Sequence, residues 1–319
     1  MSTSPVETSA LETAAASAVE GARLDLKVGY RCNNRCVFCV QGDKRDHIAD
    51  RTTDELREIL EANRGLSDGV VLTGGEVTIR PDLIELVGYA KELGYRTIQV
   101  QTNGRRLSYL PFVKALVRAG VTEIAPALHG STPSVHDALV RARGAFAQVV
   151  AGIRNCRSLG LPVITNTVVV HDNFRDLPAI VELLARLDVQ QLQLAYVHPA
   201  GTAEQYFNLV VARFSDAVPF VHDALRAAER VGLPAVTEAI PYCFMQGFER
   251  HVIEDRIPQT RIVEAGMTID DYTAYRWEEG KAKGPPCARC TWVDRCEGPW
   301  HEYPREYGWS EFEPRTDAP

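Results

Sequence analysis

Seven of the eight cysteines in this 319-residue chain fall into two groups whose spacing suits metal chemistry. The first is Cys32, Cys36 and Cys39, a C-x3-C-x2-C run directly after an apolar segment. Three thiolates on one short loop can converge on a compact inorganic core. A structural zinc ion normally takes four protein ligands. A [4Fe–4S] cluster held by three cysteines instead leaves one iron open to a substrate or cofactor. The spacing alone also leaves room for a zinc knuckle or three unrelated thiols. The second group is Cys287, Cys290 and Cys296, C-x2-C-x5-C, with Cys243 upstream. Four thiols suffice for one complete cluster or one zinc ion, and spacing does not separate the two. Cys156 is left over within a helix-spaced segment, where a free cysteine ordinarily packs as a small hydrophobe.

The elements that must position these residues alternate strand and helix. Apolar or β-branched runs at 24–30, 69–73, 96–101, 123–128, 163–170 and 191–197 read as buried parallel strands. Between them, Thr52 and Glu55 form a capping box. Pro81 suits a first helical turn, and Gly94, Gly120, Gly160 and Gly232 suit helix ends. Six β–α units in a row imply right-handed crossovers and a parallel sheet, closed as a partial barrel or open and doubly wound. In both cases ligands gather at the carboxyl ends of the strands, where the polar and glycine-rich residues cluster. Beyond Gly232 the pattern breaks. A short extra strand at 236–240 is followed by an aromatic, cysteine-bearing, poorly periodic stretch, as expected of a small module held by metal rather than by a core.

Composition sets limits on function. With 35 Lys+Arg against 42 Asp+Glu the formal charge is −7, which disfavours a nucleic-acid backbone binder. Hydrophobic content of 45% and charged content of 24% are those of a globular chain. No apolar run is long enough to span a membrane. The N-terminus lacks the order of a signal peptide. The expected location is cytoplasmic, where grouped cysteines serve as metal ligands or catalysts more often than as disulfides.

The C-x3-C-x2-C loop after a first strand closely resembles the signature of the radical S-adenosylmethionine (SAM) family. Gly74-Gly75-Glu76 after the second strand resembles that family's GGE motif, which receives the amino group of SAM. Glycines there would let the backbone approach the ligand, and the carboxylate would complement an ammonium. Phe38 resembles the aromatic position beside adenine, and Thr102-Asn103-Gly104 resembles the family's TNG. Asn166 matches the position of a ribose contact, and residues 195–197, Val197 among them, resemble a segment that touches adenine. Singly, each is an ordinary turn or strand feature. Their order around the three cysteines carries the resemblance, which covers about residues 24–200.

The resemblance implies a partial (β/α)6 TIM-like barrel over 23–232, preceded by a loose arm at 1–22 and followed by an Fe–S module at 233–319. It also implies that a reduced cluster cleaves SAM to methionine and a 5′-deoxyadenosyl radical, which abstracts a substrate hydrogen atom at the barrel mouth. The second cysteine group looks like the auxiliary-cluster modules called twitch and SPASM. Trp300 stands where a full SPASM pattern has a further cysteine, so one auxiliary [4Fe–4S] cluster is expected. Ligation by four cysteines favours electron transfer and a net oxidation.

His129, just past the fourth strand, is the candidate catalytic side chain. His136, Asp137, Arg143, Tyr196 and His198 are weaker candidates near strand ends. The aromatic tail, Trp300 included, is expected to pack. Only 23 residues precede the first expected strand, which favours a small metabolite, or a peptide delivered by a partner, over a peptide bound by a built-in recognition domain. A peptide maturase making crosslinks or epimers is the alternative, and a non-catalytic zinc-stapled binding protein the second. A flavodoxin or ferredoxin is the expected electron donor.

Overall fold

The computed structural model describes residues 19–318. Residues 1–18 of the expected arm lie outside that range, and its last four open the first strand. Nine strands follow in order: β1 (Val19–Lys27), β2 (Ser67–Thr73), β3 (Thr97–Thr102), β4 (Glu123–Pro126), β5 (Ile164–Val169), β6 (Gln191–Tyr196), β7 (Ala235–Glu238), β8 (Thr260–Glu264) and β9 (Met267–Ile269). One sheet has the order β4-β3-β2-β1-β8-β9 and the other β5-β6-β7. Bridges Ile124↔Val163 and Ala127↔Asn166 stitch β4 to β5. The eight strands β8-β1-β2-β3-β4-β5-β6-β7 are therefore one parallel wall, with β9 antiparallel at its edge. Of the two closures left open by the sequence, the chain takes the partial barrel.

Three strands, β7, β8 and the antiparallel β9, follow the six of the β–α units. β7 is the short strand expected at 236–240, and β8 was not expected at all. Both lie beyond position 232, and β8 pairs with β1 at Arg23↔Thr260 through Leu26↔Val263. The ladder thus runs across the 232/233 boundary. No local signal announces β8, because a five-residue parallel strand is defined by its distant partner.

The strands alternate more than fully buried parallel strands do. Leu24, Leu26, Val70, Leu72, Val100, Leu192 and Leu194 have no exposed surface and pack outward against the helices. The alternate positions carry Asp25, Lys27, Gln99, Gln101, Glu123, Asn166, Gln193 and Glu238. They pair across the inner face: Gln99 donates to Glu123 at 2.7 Å, Thr73 to Gln101 at 2.8 Å, and Gln193 to Glu238. A barrel filled by a packed core carries branched apolar residues inside. This inner face is polar instead, as a ligand-holding chamber requires.

The helix ends follow the expected chemistry. Helix Thr53–Arg64 opens with the Thr52/Glu55 capping box, and left-handed Gly120 and Gly232 close helices Leu110–Ala119 and Phe214–Val231. Pro81 falls outside its helix, one residue before the N-cap Asp82 of Leu83–Glu92. Among the described residues no helix is long and apolar enough to cross a membrane.

Candidate cofactor and cluster sites

The first three cysteines occupy the irregular loop that leaves β1 at the carboxyl end of the wall. Neighbouring strand ends clamp this loop. Gly75 N–H donates to Gly29 O and Glu76 N–H to Arg31 O, both at 2.8 Å. A Cβ on Gly74 would run into the carbonyl oxygen of Gly29, and one on Gly75 into those of Tyr30 and Arg31. Here the glycines let β2 approach the cysteine loop itself, main chain against main chain.

Glu76 is buried and locks the next joint. Its Oε1 accepts from Thr78 N–H at 2.9 Å and from the hydroxyls of Thr78 and Thr102. Its Oε2 accepts Asn103 N–H at 2.6 Å. The carboxylate therefore ties β2 to β3, with lone-pair capacity left on Oε2 alone. Asn103 Nδ2 in turn donates to Asn33 Oδ1 at 2.6 Å, between Cys32 and Cys36. Arg105 was not foreseen. It donates to Asn33 O at 2.6 Å and to Asn34 Oδ1 at 3.1 Å. Its position directly after Thr102-Asn103-Gly104 was the available signal. On the far side Arg45 holds Asn34 O at 2.8 Å, and Thr202 N–H donates to Cys39 O at 2.9 Å.

Burial, with Cys39 and Cys32 beside it, pushes the Cys36 thiol up to about 12. Burial also raises Cys32, against a hydrogen bond from Asn34. Cys39 and Cys32 are close enough to oppose the ionisation of Cys36. A cationic iron core reverses that opposition, because a coordinated thiol is deprotonated outright. The loop thus fits the cluster it was expected to hold.

The SAM-contact candidates come from separate elements. Phe38 is buried, edge-on to His129 with ring centroids 4.7 Å apart. Val197 is buried at the end of β6, its amide donating to Val169 O at 3.2 Å. Asn166 on β5 keeps a buried Oδ1 with no partner, an orphaned acceptor on the chamber wall where a hydroxyl could donate.

His129 is buried, and desolvation with His136 beside it pushes its pKa down to about 3. Its Nδ1 accepts Val168 N–H at 3.2 Å, so the neutral ring carries its proton on Nε2. His136 is likewise held neutral by burial, at about 4, and its Nδ1 accepts His129 N–H at 3.1 Å. Asp137 lies inside helix Pro133–Val140 rather than opening it, and accepts Gly144 N–H and Phe146 N–H at 2.6 and 2.7 Å. Arg143 is exposed. Tyr196 is buried and donates its hydroxyl to Ala212 O. Cys156 is fully buried in helix Ala145–Ser158, as a packing cysteine should be.

Cys243, Cys287, Cys290 and Cys296 all line one cavity of about 30 Å³. Burial raises the Cys243 thiol, and Cys296, Cys287 and Cys290 beside it add to the effect. The four sulfurs therefore form one electrostatic group drawn from residues 243–296. Among the described residues no three His, Cys, Asp or Glu converge on a single metal ion. Trp292, Trp300, Tyr303 and Phe312 are buried around this module, the packing role expected of them.

Residues 26–184 match the radical SAM superfamily. A probable GTP 3′,8-cyclase of Saccharolobus islandicus is 33% identical over 187 residues, 58% of this chain and 60% of that protein. The Fe-coproporphyrin III synthase of Methanosarcina barkeri is 28% identical over 226 residues, 68% of this chain and 56% of the relative. The chain thus spans about 60% or less of these curated relatives. Among solved structures, Streptococcus suis SuiB bound to its precursor peptide SuiA aligns over 92% of this chain and 74% of its own, with TM-score 0.66 and 14% identity. Native anSMEcpe with bound AdoMet aligns over 67% and 64%, with TM-score 0.55 and 15% identity. At such identities the likeness is one of fold. The family's cofactors are a [4Fe–4S] cluster and SAM. The chain is a member of the radical SAM superfamily.

Proposed function

We propose that this protein is an enzyme that cleaves SAM reductively and oxidises a small metabolite, or a peptide brought by a partner, with an auxiliary cluster as electron acceptor. The observation that carries this reading is the clamp on the cysteine loop. Gly74, Gly75, Glu76 and Asn103 fix that loop over a polar chamber.

When bound, the cluster and SAM supply an electron and a 5′-deoxyadenosyl radical that removes a substrate hydrogen atom. The chain's own residues do the rest. Cys32, Cys36 and Cys39 hold the cluster. The main chain of Gly74-Gly75 and the free capacity of Glu76 Oε2 face the methionyl amine. Phe38 and Val197 border the adenine, and Asn166 Oδ1 accepts from the ribose. His129 acts by position, since a buried imidazole that keeps Nδ1 on a main-chain amide stays neutral and braces Phe38. Cys243, Cys287, Cys290 and Cys296 hold the auxiliary cluster, and their arrangement around a cavity favours an extended inorganic core over a single zinc ion. In this reading cofactor chemistry lies in 23–232 and the auxiliary cluster in 233–319. A flavodoxin or ferredoxin delivers the electron, and the reaction is cytoplasmic. The fold shared with SuiB supports the peptide alternative.

Anaerobic reconstitution tests the reading. Roughly eight irons per chain, as two four-iron clusters, with reductant-dependent 5′-deoxyadenosine from SAM, is the expected result. A colourless zinc protein that leaves SAM intact overturns it.

A further inference from the structure

Between the carboxyl ends of β6 and β7 and the auxiliary cysteines lies a shell of buried charge that the cofactor reading does not use. Arg276 has no exposed surface and forks onto Glu297, with Nε–Oε2 and Nη2–Oε1 both 2.9 Å. Lys281 bridges Glu297 at 2.8 Å and Glu254 at 3.1 Å, and Glu254 also accepts Ala239 N–H at 2.6 Å just past β7. Lys281 lies over the Trp300 ring at 5.3 Å. Trp300 stacks on His198, just past β6, with centroids 3.9 Å apart and planes 6° from parallel. His198 Nε2 is 3.5 Å from Glu302 Oε1.

Four polar atoms of this one shell are buried without partners: Arg276 Nη1, Trp300 Nε1, Glu254 Oε2 and Glu302 Oε2. Their residues are each more than nine-tenths buried. Two are donors and two are acceptors. Buried orphans are costly and call for a partner. The shell sets Arg276 and Lys281 against the carboxylates of Glu254, Glu297 and Glu302, the last beside His198 and His301. A carboxylate entering it would meet Glu254 and Glu302, and an ammonium would meet Arg276 and Lys281, so both ions are disfavoured. A neutral group that accepts on one edge and donates on the other satisfies donors and acceptors together.

We propose that this shell is the substrate-recognition site and that it takes an amide, either a peptide bond or the carboxamide or lactam edge of a small molecule. The proposal deepens the functional reading and rests on it for the location of the reaction, at the mouth of the barrel. Glu238 pairs with Gln193 on the inner face, and the next residue, Ala239, donates its N–H to Glu254, which places the shell beside the chamber.

The test is an indole ¹⁵N–¹H titration of the anaerobically purified full-length holoenzyme. The chain has four tryptophans. The Trp300 signal is assigned by its loss in Trp300→Phe, or by elimination through Trp277→Phe, Trp292→Phe and Trp309→Phe. N-acetylglycinamide should move the Trp300 signal saturably, and several-fold more than acetate or ethylamine at equal concentration. Glu302→Gln should reduce that response. An unmoved Trp300 signal, as a shell satisfied by ordered water would give, overturns the proposal. So does a larger response to acetate or to ethylamine. The readout does not depend on SAM cleavage. A wild-type protein that fails to make 5′-deoxyadenosine yet shows the amide response refutes the functional reading alone.

Discussion

The side-chain amide of Asn103 donates to Asn33 Oδ1 at 2.6 Å, joining the turn after β3 to the residue that follows the first cysteine. The same Asn103 donates its main-chain N–H to Glu76. One asparagine therefore registers the ends of two strands against the cysteine loop. The arrangement is built from short polar contacts, so small changes to it should act on the cluster before they act on the fold.

Gly75→Ala drives a methyl into the carbonyls of Tyr30 and Arg31, where main chain must give way. We expect destabilisation of about 3 kcal/mol or more and loss of iron from the first cluster. Gly88→Ala is the control. Gly88 lies inside helix Leu83–Glu92, with open space where the methyl would sit, and should gain about 0.5–1 kcal/mol. Denaturant melts and iron analysis of the two variants check the contrast.

Glu76→Gln replaces an acceptor-only carboxylate with a group that must donate from one end. At least one of the donors on Thr78, Thr102 and Asn103 then loses its partner. The expected cost is about 1–3 kcal/mol, together with weaker SAM binding in calorimetry. Unchanged stability would show that the joint is not held by this carboxylate.

His129 and His136 are held neutral, at about 3 and about 4 against an ordinary 6.5. Their folded pKa values lie below the unfolded ones, so the unfolded chain takes up protons first as pH falls. Their stabilisation is complete above about pH 6.5 and is lost progressively as pH drops toward 4. Each contributes a slope of up to about 1.4 kcal/mol per pH unit in that window. His136→Phe should remove one such slope while adding a pH-independent cost, because His129 N–H loses its acceptor. Unfolding free energies between pH 7 and 5 decide this.

Cys290→Ala should remove roughly four irons and leave reductant-dependent SAM cleavage in place. Cys32→Ala should abolish that cleavage. Cys156→Ala should change neither, because Cys156 packs fully buried within helix Ala145–Ser158. Iron content and 5′-deoxyadenosine yield are read on the same three variants.

The grouping of Cys32, Cys36 and Cys39, and of Cys287, Cys290 and Cys296, was legible in the sequence, because thiols on one short loop carry their spacing with them. So were the β–α alternation and the capping box at Thr52, which are local. The pairing of β8 with β1 was not, since Thr260 and Arg23 meet only through the folded sheet. Nor was the task of Gly74 and Gly75, which fit against Gly29, Tyr30 and Arg31 through contacts between separate elements. His129 read as a candidate acid or base, and only packing against Val168, His136 and Phe38 made it a neutral brace.

By itself, then, the sequence determined which atoms could bind iron and in what order the elements come, because both depend on residue type and near neighbours. The tertiary structure alone decided the polar chamber, the gathering of Cys243 with Cys287, Cys290 and Cys296, and the shell from Arg276 through Lys281 and Trp300 to His198. Those sites join residues more than a hundred positions apart in the chain, and a contact of that kind exists only once burial and strand pairing have brought its halves together.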